Sequence, residues 1–224
     1  MIVTIDGPAG AGKSSISRQV ADRLGFDFLD TGAMYRAITL GAMRAQVELE
    51  DELALLDFCS SVTIQWDGES IFLNGDDVTN EIRTPAVTRA IHFLADLPAV
   101  RDQLSMQQRR IAAGRDIVTE GRDQGSEVFP DAECKIFLTA SAQERAVRRQ
   151  QQLMEAGRHL SLEEVLAAQD RRDQEDRDRP IGALRAAEDA VVIMSDGMTP
   201  DEVLARALEI VEAASLASKV NDEC

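Results

Sequence analysis

Residues 2–15 read IVTIDGPAGAGKSS and decide the fold. Residues 2–6 form an apolar run of strand length, and residues 13–24 have the spacing of a helix that ends before Gly25. Between them, residues 7–14 match the pattern G-x-x-x-x-G-K-[ST]. Glycines in such a turn let successive backbone N–H groups point at a phosphate, and the helix N-terminus adds its positive end. This stretch, the P-loop, therefore predicts a site for a nucleoside triphosphate.

The residue types of the P-loop suit ATP and a magnesium ion. Lys13 is expected to reach the β- and γ-phosphates, and the Ser14 hydroxyl is expected to ligate Mg²⁺, partly through water. A glycine-rich turn can also merely cap a helix, but the strand before it and the helix after it favour the phosphate site. The predicted ATP-binding set is Gly7, Pro8, Ala9, Gly10, Ala11, Gly12, Lys13, Ser14 and Ser15.

Apolar runs of strand length alternate with segments of helical period along the chain. This alternation is typical of an α/β fold in which helices flank a parallel sheet. We expect a five-stranded parallel sheet, with strands at residues 2–6, 26–30, 117–120, 135–139 and 190–194 and helices at residues 13–24, 141–156, 162–178 and 200–218.

Two stretches interrupt this rhythm. The first carries the turn pairs Asp67-Gly68 and Asn74-Gly75 in a run of alternating polarity, which predicts a small antiparallel sheet. The second, residues 145–179, is dense in charge and predicts a solvated, mobile helical hairpin around Gly157. We therefore expect one P-loop unit with a core at residues 1–35, 85–147 and 180–224, an insertion at residues 36–84 and a helical lid at residues 148–179.

The composition excludes several classes of protein. With 224 residues, 44% of them hydrophobic, the chain can bury one substantial core. A net charge of −16 argues against binding to a nucleic-acid polymer, which needs a basic surface. The first strand leaves no room for a signal peptide and no apolar run is long enough to span a membrane, so a cytoplasmic protein is expected. The cysteines have no spacing typical of disulfides or zinc, and we expect free thiols at Cys59, Cys134 and Cys224.

Two further segments point to a second anionic substrate. Residues 29–36, LDTGAMYR, follow the second strand and place the Thr31 hydroxyl and a helix N-terminus ahead of Arg36. Residues 120–125, EGRDQG, stand at the end of another strand. The carboxyl ends of parallel strands are where such sheets bind ligands. The charges of both segments are therefore candidates for ligand binding.

The charged run RRDQEDRDR, residues 171–179, has two interpretations that the sequence leaves open. One is an exposed helix with ion pairs four residues apart. The other is a lid that closes over phosphates and a sugar hydroxyl with one charged face. The ion pairs of the first would be Arg171–Glu175 and Asp173–Arg177, and the face of the second would be Arg172, Asp176 and Arg179.

In the order and spacing of these segments, the chain resembles the bacterial cytidylate (CMP) kinases of the P-loop nucleoside monophosphate kinase superfamily. The likeness runs from Ile5 to the last helix and rests on IDGPAGAGKSS, LDTGAMYRA, the pair Val100-Arg101, QRR at residues 108–110, EGRDQGSEVFPDA and RRDQEDRDR. The resemblance implies a P-loop kinase core whose insertion binds the monophosphate. It also implies transfer of a phosphoryl group from ATP, with Mg²⁺, to CMP and dCMP. Separately, we expect a monomer with no membrane or nucleic-acid partner.

The resemblance implies a role for each matching residue. Thr31, Arg36 and Arg122 would hold the acceptor's phosphate, Arg101 and Asp123 would read the cytosine, Asp176 would bind the ribose hydroxyls, and Arg172 and Arg179 would close on the transferring phosphoryl group and the acceptor phosphate. The implied catalytic residues are Lys13, Arg122, Arg172 and Arg179.

One position departs from the family's pattern. Where the family commonly places a small serine near the base, this chain has His92. A lone histidine on a helix is more often a structural residue than a ligand contact, and that alternative stays open. We count His92 among the acceptor-binding residues, because a larger ring there would tighten or alter the selection of the base.

Other functions use the same P-loop. A sister kinase, for UMP and CMP or for shikimate or dephospho-coenzyme A, shares the core, but the last two should lack the hairpin insertion and Asp123. A nucleotide-dependent switch without an acceptor would leave Arg36, Arg101 and Arg122 without a task. Release of ADP only when a monophosphate is added separates a kinase from a switch.

Overall fold

The computed structural model describes residues 1–67, 70–155 and 157–222, with side chains as far as residue 217. The part of the chain so described divides into two compact units. Unit 1 comprises Met1–Phe28 and Gly114–Cys224, and unit 2 comprises Leu29–Ala113. The boundaries of core, insertion and lid drawn from the sequence stay a prediction.

Helices and strands alternate as an α/β fold requires. The helices are α1 Lys13–Leu24, α2 Thr31–Arg44, α3 Glu52–Ser61, α4 Pro85–Ala90, α5 His92–Ala95, α6 Pro98–Ala112, α7 Ala142–Glu155, α8 Leu162–Asp178 and α9 Pro200–Asp222. The strands are β1 Ile2–Asp6, β2 Asp27–Asp30, β3 Ile64–Trp66, β4 Ile71–Leu73, β5 Asp76–Asp77, β6 Ile117–Gly121, β7 Cys134–Thr139 and β8 Val191–Met194.

The predicted elements agree with these bounds to within a few residues, as element ends generally do. Helix α1 has the predicted bounds, whereas α9 continues past residue 218 to Asp222. The predicted end of α7, Ala156, lies outside the described residues. None of the helices described has both the length and the apolar character to cross a membrane.

Unit 1 is built on a parallel sheet. Over the described residues this sheet has five strands in the order β2-β6-β1-β7-β8, which confirms the predicted sheet. Val3 and Ile5 of the central strand β1 are fully buried, because a strand covered on both faces has no solvent side. Strands β1 and β6 run parallel with Asp6 opposite Gly121. The P-loop and the segment after β6 therefore leave the sheet side by side.

Unit 2 combines helices α2 to α6 with the predicted small antiparallel sheet. In the described part of the unit, β3 pairs with β4 and β4 with β5, both antiparallel. Asn74 and Gly75, which separate β4 from β5, have φ angles of 53° and 89°, as a tight hairpin turn requires. Gly68, from the other predicted turn pair, lies outside the described residues. Helix α2 packs directly on β4, since a Cβ on Gly41 would lie 2.6 Å from Leu73 Cδ2.

Helices α7 and α8 form the predicted helical hairpin. Gly157, which has a left-handed φ of 73°, lies between them. The two helices are joined by an apolar cluster of Ala146, Leu153 and Val165. Each helix thus buries one narrow apolar edge against the other, and its remaining surface is available for the charged residues.

Candidate active site

The backbone of the P-loop takes the conformation that its glycines predict. Gly12 is the N-terminal cap of α1 with φ 92°, in the left-handed region that side chains disfavour. A Cβ on Gly7 would lie 1.9 Å from the Leu138 carbonyl oxygen of β7, so only glycine fits there. Gly7 lets the loop pack against the sheet, and Gly12 lets it turn into α1, where backbone N–H groups can donate to a phosphate.

Lys13 is held in place before any nucleotide arrives. Its side chain is 6% exposed and its Nζ donates to the Pro8 carbonyl oxygen at 2.9 Å. Burial, helped by the nearby Arg122, lowers the pKa of Lys13 to about 7, although Glu120, Asp6 and Asp176 act in the opposite direction. The ammonium group is therefore poorly solvated, and a phosphate would be a favourable partner for it.

Ser14 and Glu120 form the part of the site that could hold a metal ion. The Ser14 hydroxyl donates to Glu120 Oε1 at 2.5 Å, although the two residues come from α1 and β6. Hydroxyl and carboxylate oxygens suit Mg²⁺, which uses few protein ligands together with phosphates and water. Among the described residues, no group of three or more His, Cys, Asp or Glu could hold a metal alone. This donor set fits a magnesium ion that is bound together with phosphates.

Asp176 lies between two arginines in unit 1. Arg122 Nε donates to Asp176 Oδ2 at 2.9 Å, and Arg179 Nη2 lies 2.8 Å from Oδ1. Burial by itself would raise the pKa of Asp176, but Arg122, Arg179 and Arg172 outweigh it and hold the pKa below its ordinary value. Helix α8 ends at Asp178, so Arg179 follows the helix rather than sharing its face. The arrangement brings four of the predicted site residues together.

Asp123 follows the end of β6 and is buried. It precedes a π-helical turn, Gln124–Val128, whose first backbone N–H groups donate to Asp6. A carboxylate in this position, at the carboxyl end of a parallel strand, can accept a hydrogen bond from a bound base.

In unit 2, Asp30 organises the predicted phosphate-binding residues. It caps α2 by accepting a hydrogen bond from Ala33 N at 2.8 Å, and Thr31 is the buried first residue of that helix. Arg36 Nη2 lies 3.4 Å from Asp30 Oδ1, and Arg83 Nη2 lies 3.3 Å from Oδ2. Two guanidinium groups thus share one buried carboxylate at a helix N-terminus, an arrangement suited to an anion.

Arg101 and His92 have different surroundings within unit 2. Arg101 is buried, donates from Nη1 to the Ala95 carbonyl oxygen at 2.9 Å, and has its guanidinium 5.4 Å from the centre of the Tyr35 ring. His92 is exposed, and its Nδ1 lies 2.8 Å from the Arg89 carbonyl oxygen one helical turn earlier. Arg101 is therefore fixed in position, whereas His92 contacts Arg89 and Phe93, its neighbours along the chain.

The tip of the P-loop is held by a buried ion pair that corrects one sequence expectation. Arg145 Nη1 donates to the Ala9 carbonyl oxygen at 2.9 Å, and Arg145 Nη2 lies 2.6 Å from Asp173 Oδ2. One of the two interpretations of this run placed Asp173 on an exposed face as a partner of Arg177. Arg177 Nη2 does lie 3.9 Å from Asp173 Oδ2, but Asp173 is only 1% exposed. Asp173 is buried because it faces Arg145, and a buried guanidinium group needs a buried carboxylate as its counter-charge.

The sequence had not singled out several of these residues. Glu120 lies within EGRDQG, but its position at the end of a strand is the only signal in the sequence of its contact with Ser14. Arg83 and Arg145 carried no signal, because an arginine after a hairpin or in a charged helix is usually solvent-exposed.

Comparison with known proteins gives a consistent result. The family model described as cytidylate kinase matches residues 3–213. A cytidylate kinase of Rhodopirellula baltica is 59% identical over 221 residues, which cover 99% of this chain and 96% of that protein. A cytidylate kinase of Caldanaerobacter subterraneus subsp. tengcongensis is 44% identical over 209 residues, 93% of each chain.

Among solved structures, a shikimate kinase of Bacteroides thetaiotaomicron superposes with a TM-score of 0.51 at 12% identity, over 95% of this chain and 98% of its own. At that identity the likeness concerns the fold alone. The match of the family model over nearly the whole chain, together with the two close relatives, decides the assignment: the chain belongs to the cytidylate kinase family.

Proposed function

We propose that this protein transfers the γ-phosphoryl group of ATP to CMP, which gives CDP and ADP, and that dCMP is a second acceptor. The observation that carries the proposal is the 59% identity to a cytidylate kinase over nearly the full length of both chains. The P-loop with its buried Lys13 supports the proposal, as the place where the triphosphate would bind.

The residues of unit 1 would act on both nucleotides. Lys13 would bind the β- and γ-phosphates, because an ammonium group that burial has already desolvated gains most from a new counter-charge. Arg122 would hold the acceptor's phosphate, and Arg172 and Arg179 would close on that phosphate and on the transferring phosphoryl group, whose charge they would neutralise. Asp176 would accept hydrogen bonds from the ribose hydroxyls, and the arginines around it keep it ionised for that purpose.

The residues of unit 2 would act on the acceptor. Arg36 would bind its phosphate together with the N-terminus of α2 and the Thr31 hydroxyl. Arg101, fixed by Ala95 and Tyr35, would contact the base. His92 would adjust the selection of the base, and it is the position at which this chain departs from the family's pattern.

Asp123 would supply the preference for cytosine. A carboxylate accepts a hydrogen bond from the N4 amino group of cytosine, whereas uracil presents an acceptor at the same place and would be repelled.

Mg²⁺ would be held by Ser14, with Glu120 beside it, and when bound it would neutralise the phosphate oxygens between which the phosphoryl group moves. The protein itself need not supply a base. The second pKa of a phosphate monoester is about 6, so the attacking oxygen is already largely unprotonated at pH 7. Alignment and charge stabilisation then account for the catalysis.

Water must be kept from the phosphoryl group, and we propose the helical segment at residues 148–179 as the lid that does so. We further propose that the enzyme acts as a monomer in the cytoplasm.

The test is ADP release from ATP in the presence of Mg²⁺ with a panel of acceptors: CMP, dCMP, UMP, AMP, shikimate and none. We expect rates with CMP and dCMP far above those with the others. Equal rates with UMP would favour a kinase for both pyrimidines. Full ADP release without an acceptor would favour a nucleotide-dependent switch and overturn the proposal.

A further inference from the structure

Asp6 is a buried carboxylate to which none of the roles above is assigned. Asp6 is the last residue of β1, directly before the P-loop, and it is only 4% exposed. Its Oδ1 accepts a hydrogen bond from Gln124 N at 2.9 Å, and its Oδ2 accepts one from Gly125 N at 2.8 Å. Both oxygens are thus occupied by the backbone of the turn that immediately follows Asp123.

The same turn is seated on the sheet by close packing. A Cβ on Gly125 would lie 2.8 Å from Thr4 Oγ1 and 3.2 Å from Lys135 Cδ, so the backbone rests directly on β1 and β7. Lys135 is itself held, since its Nζ donates to both oxygens of Asp189, at 3.0 and 2.8 Å. Packing therefore sets how far the turn stands from the sheet, and Asp6 sets how its N–H groups are oriented.

Keeping a carboxylate in this position is costly for the fold. Burial raises the pKa of Asp6 to about 7, although the two backbone hydrogen bonds and Lys13 lower it and Asp123 raises it further. An apolar residue would fill the space without that cost, but it would leave two buried N–H groups without acceptors. The orientation of the turn is what the carboxylate provides.

We propose that Asp6 is a positioning residue for the acceptor: through Gln124 and Gly125 it holds Asp123 and Arg122 in the orientation in which they meet the base and the phosphate. This inference rests on the proposed function of those two residues. It makes the end of β1 a common support for the P-loop on one side and for acceptor recognition on the other.

The test is steady-state kinetics of Asp6→Asn, with KM for CMP and for ATP measured separately. The amide keeps the shape of the carboxylate but turns an N–H₂ group toward one of the two backbone N–H groups, so at least one hydrogen bond is lost. We expect KM for CMP to rise about ten-fold, the preference for CMP over UMP to fall, and KM for ATP to change by less than about three-fold.

Thr4→Val is the matched control. Thr4 contacts the same Gly125, and valine keeps the shape of the threonine side chain. The Thr4 hydroxyl has no hydrogen-bond partner among the described residues, so its removal breaks no hydrogen bond. We expect both KM values and the base preference to stay unchanged. If Asp6→Asn does not fold, Gly125→Ala disturbs the same turn from the side of Thr4 and should give the same selective rise in KM for CMP.

The outcomes separate the two proposals. If the wild-type protein transfers no phosphoryl group to CMP, the proposed function fails and this inference falls with it. If the wild type is active but Asp6→Asn weakens ATP and CMP equally, or leaves KM for CMP and the base preference unchanged, only the positioning role is overturned.

Discussion

Arg145 and Asp173 form a buried ion pair, with Nη2 of the arginine 2.6 Å from Oδ2 of the aspartate. Through Nη1 the same arginine holds the Ala9 carbonyl oxygen at the tip of the P-loop. Asp173 lies on α8, the helix that also carries Arg172 and Asp176. The Arg145 side chain therefore links the P-loop to α8, the helix whose charges we assign to the lid.

Removal of Asp173 should be costly for stability. The variant Asp173→Ala leaves the Arg145 guanidinium buried without a counter-charge, and breaking a buried pair in this way typically costs about 3–5 kcal/mol. We expect a loss of that order in the free energy of unfolding, measured by urea denaturation. Arg177→Ala removes the solvent-exposed neighbour of Asp173 and should cost less than about 1 kcal/mol. Equal small losses in the two variants would mean that the buried pair contributes little.

Lys13→Ala should abolish phosphoryl transfer and leave the fold intact. The side chain contacts the Pro8 carbonyl oxygen rather than a carboxylate, and its charge is desolvated in the free protein, so its removal deprives the fold of little. We expect ADP formation to drop by at least about a hundred-fold, with a melting temperature close to that of the wild type. A rate near that of the wild type would show that the P-loop is not the reaction site.

ATP binding should take up a proton near pH 8. In the free protein the pKa of Lys13 is lowered to about 7, so at pH 8 the amine is mostly neutral, and nearby phosphates would raise its pKa and protonate it. Titration calorimetry in buffers of different ionisation enthalpy measures this uptake. We expect the contribution from Lys13 to be largest at pH 8 and to vanish below about pH 6, where the amine is already charged.

Lys13→Arg is the control for that uptake, because an arginine stays charged at every accessible pH and can take up no proton. An uptake at pH 8 that is equal in the wild type and in this variant would place the proton on another group.

Asp123→Asn should relax the discrimination between cytosine and uracil. The amide supplies an N–H₂ donor that can meet the O4 acceptor of uracil, which the carboxylate repels. We expect the ratio of kcat/KM for CMP to that for UMP to fall about ten-fold or more. The measurement is ADP release from ATP with each of the two acceptors, and a ratio unchanged from the wild type would mean that another residue reads the base.

Arg83→Ala should weaken the binding of the acceptor and leave the binding of ATP unchanged. Arg83 and Arg36 share Asp30 at the N-terminus of α2, so loss of one cation leaves Arg36 more tightly bound to that carboxylate and less available to a phosphate. We expect KM for CMP to rise about five-fold while KM for ATP stays unchanged. Arg44→Ala, which removes an ion pair to Glu81 in the same unit, should change neither KM.

Much of the fold could be predicted from the sequence because its signals are local. The strand, turn and helix of residues 2–24 are contiguous, and the glycines that a phosphate turn needs stand within it. The same is true of the hairpin at Asn74-Gly75 and of the helical pair around Gly157, where the turn residue marks the position. Helical period and alternation, which are local patterns, also placed the other strands of the parallel sheet and helices α7, α8 and α9, but they assigned no bounds to helices α3 to α6.

Within the site, the sequence determined which residue types stand at the ends of β1, β2 and β6, and the family likeness assigned their roles. Only the tertiary structure decided their partners. Asp6 bonds to Gln124 across 118 residues, Ser14 to Glu120 across 106, and Arg145 to Ala9 across 136. No periodicity reports a contact of that separation, because it forms only when the sheet brings neighbouring strand ends together. The local sequence pattern therefore determined the P-loop, whereas only the packing of the sheet decided which residues surround it.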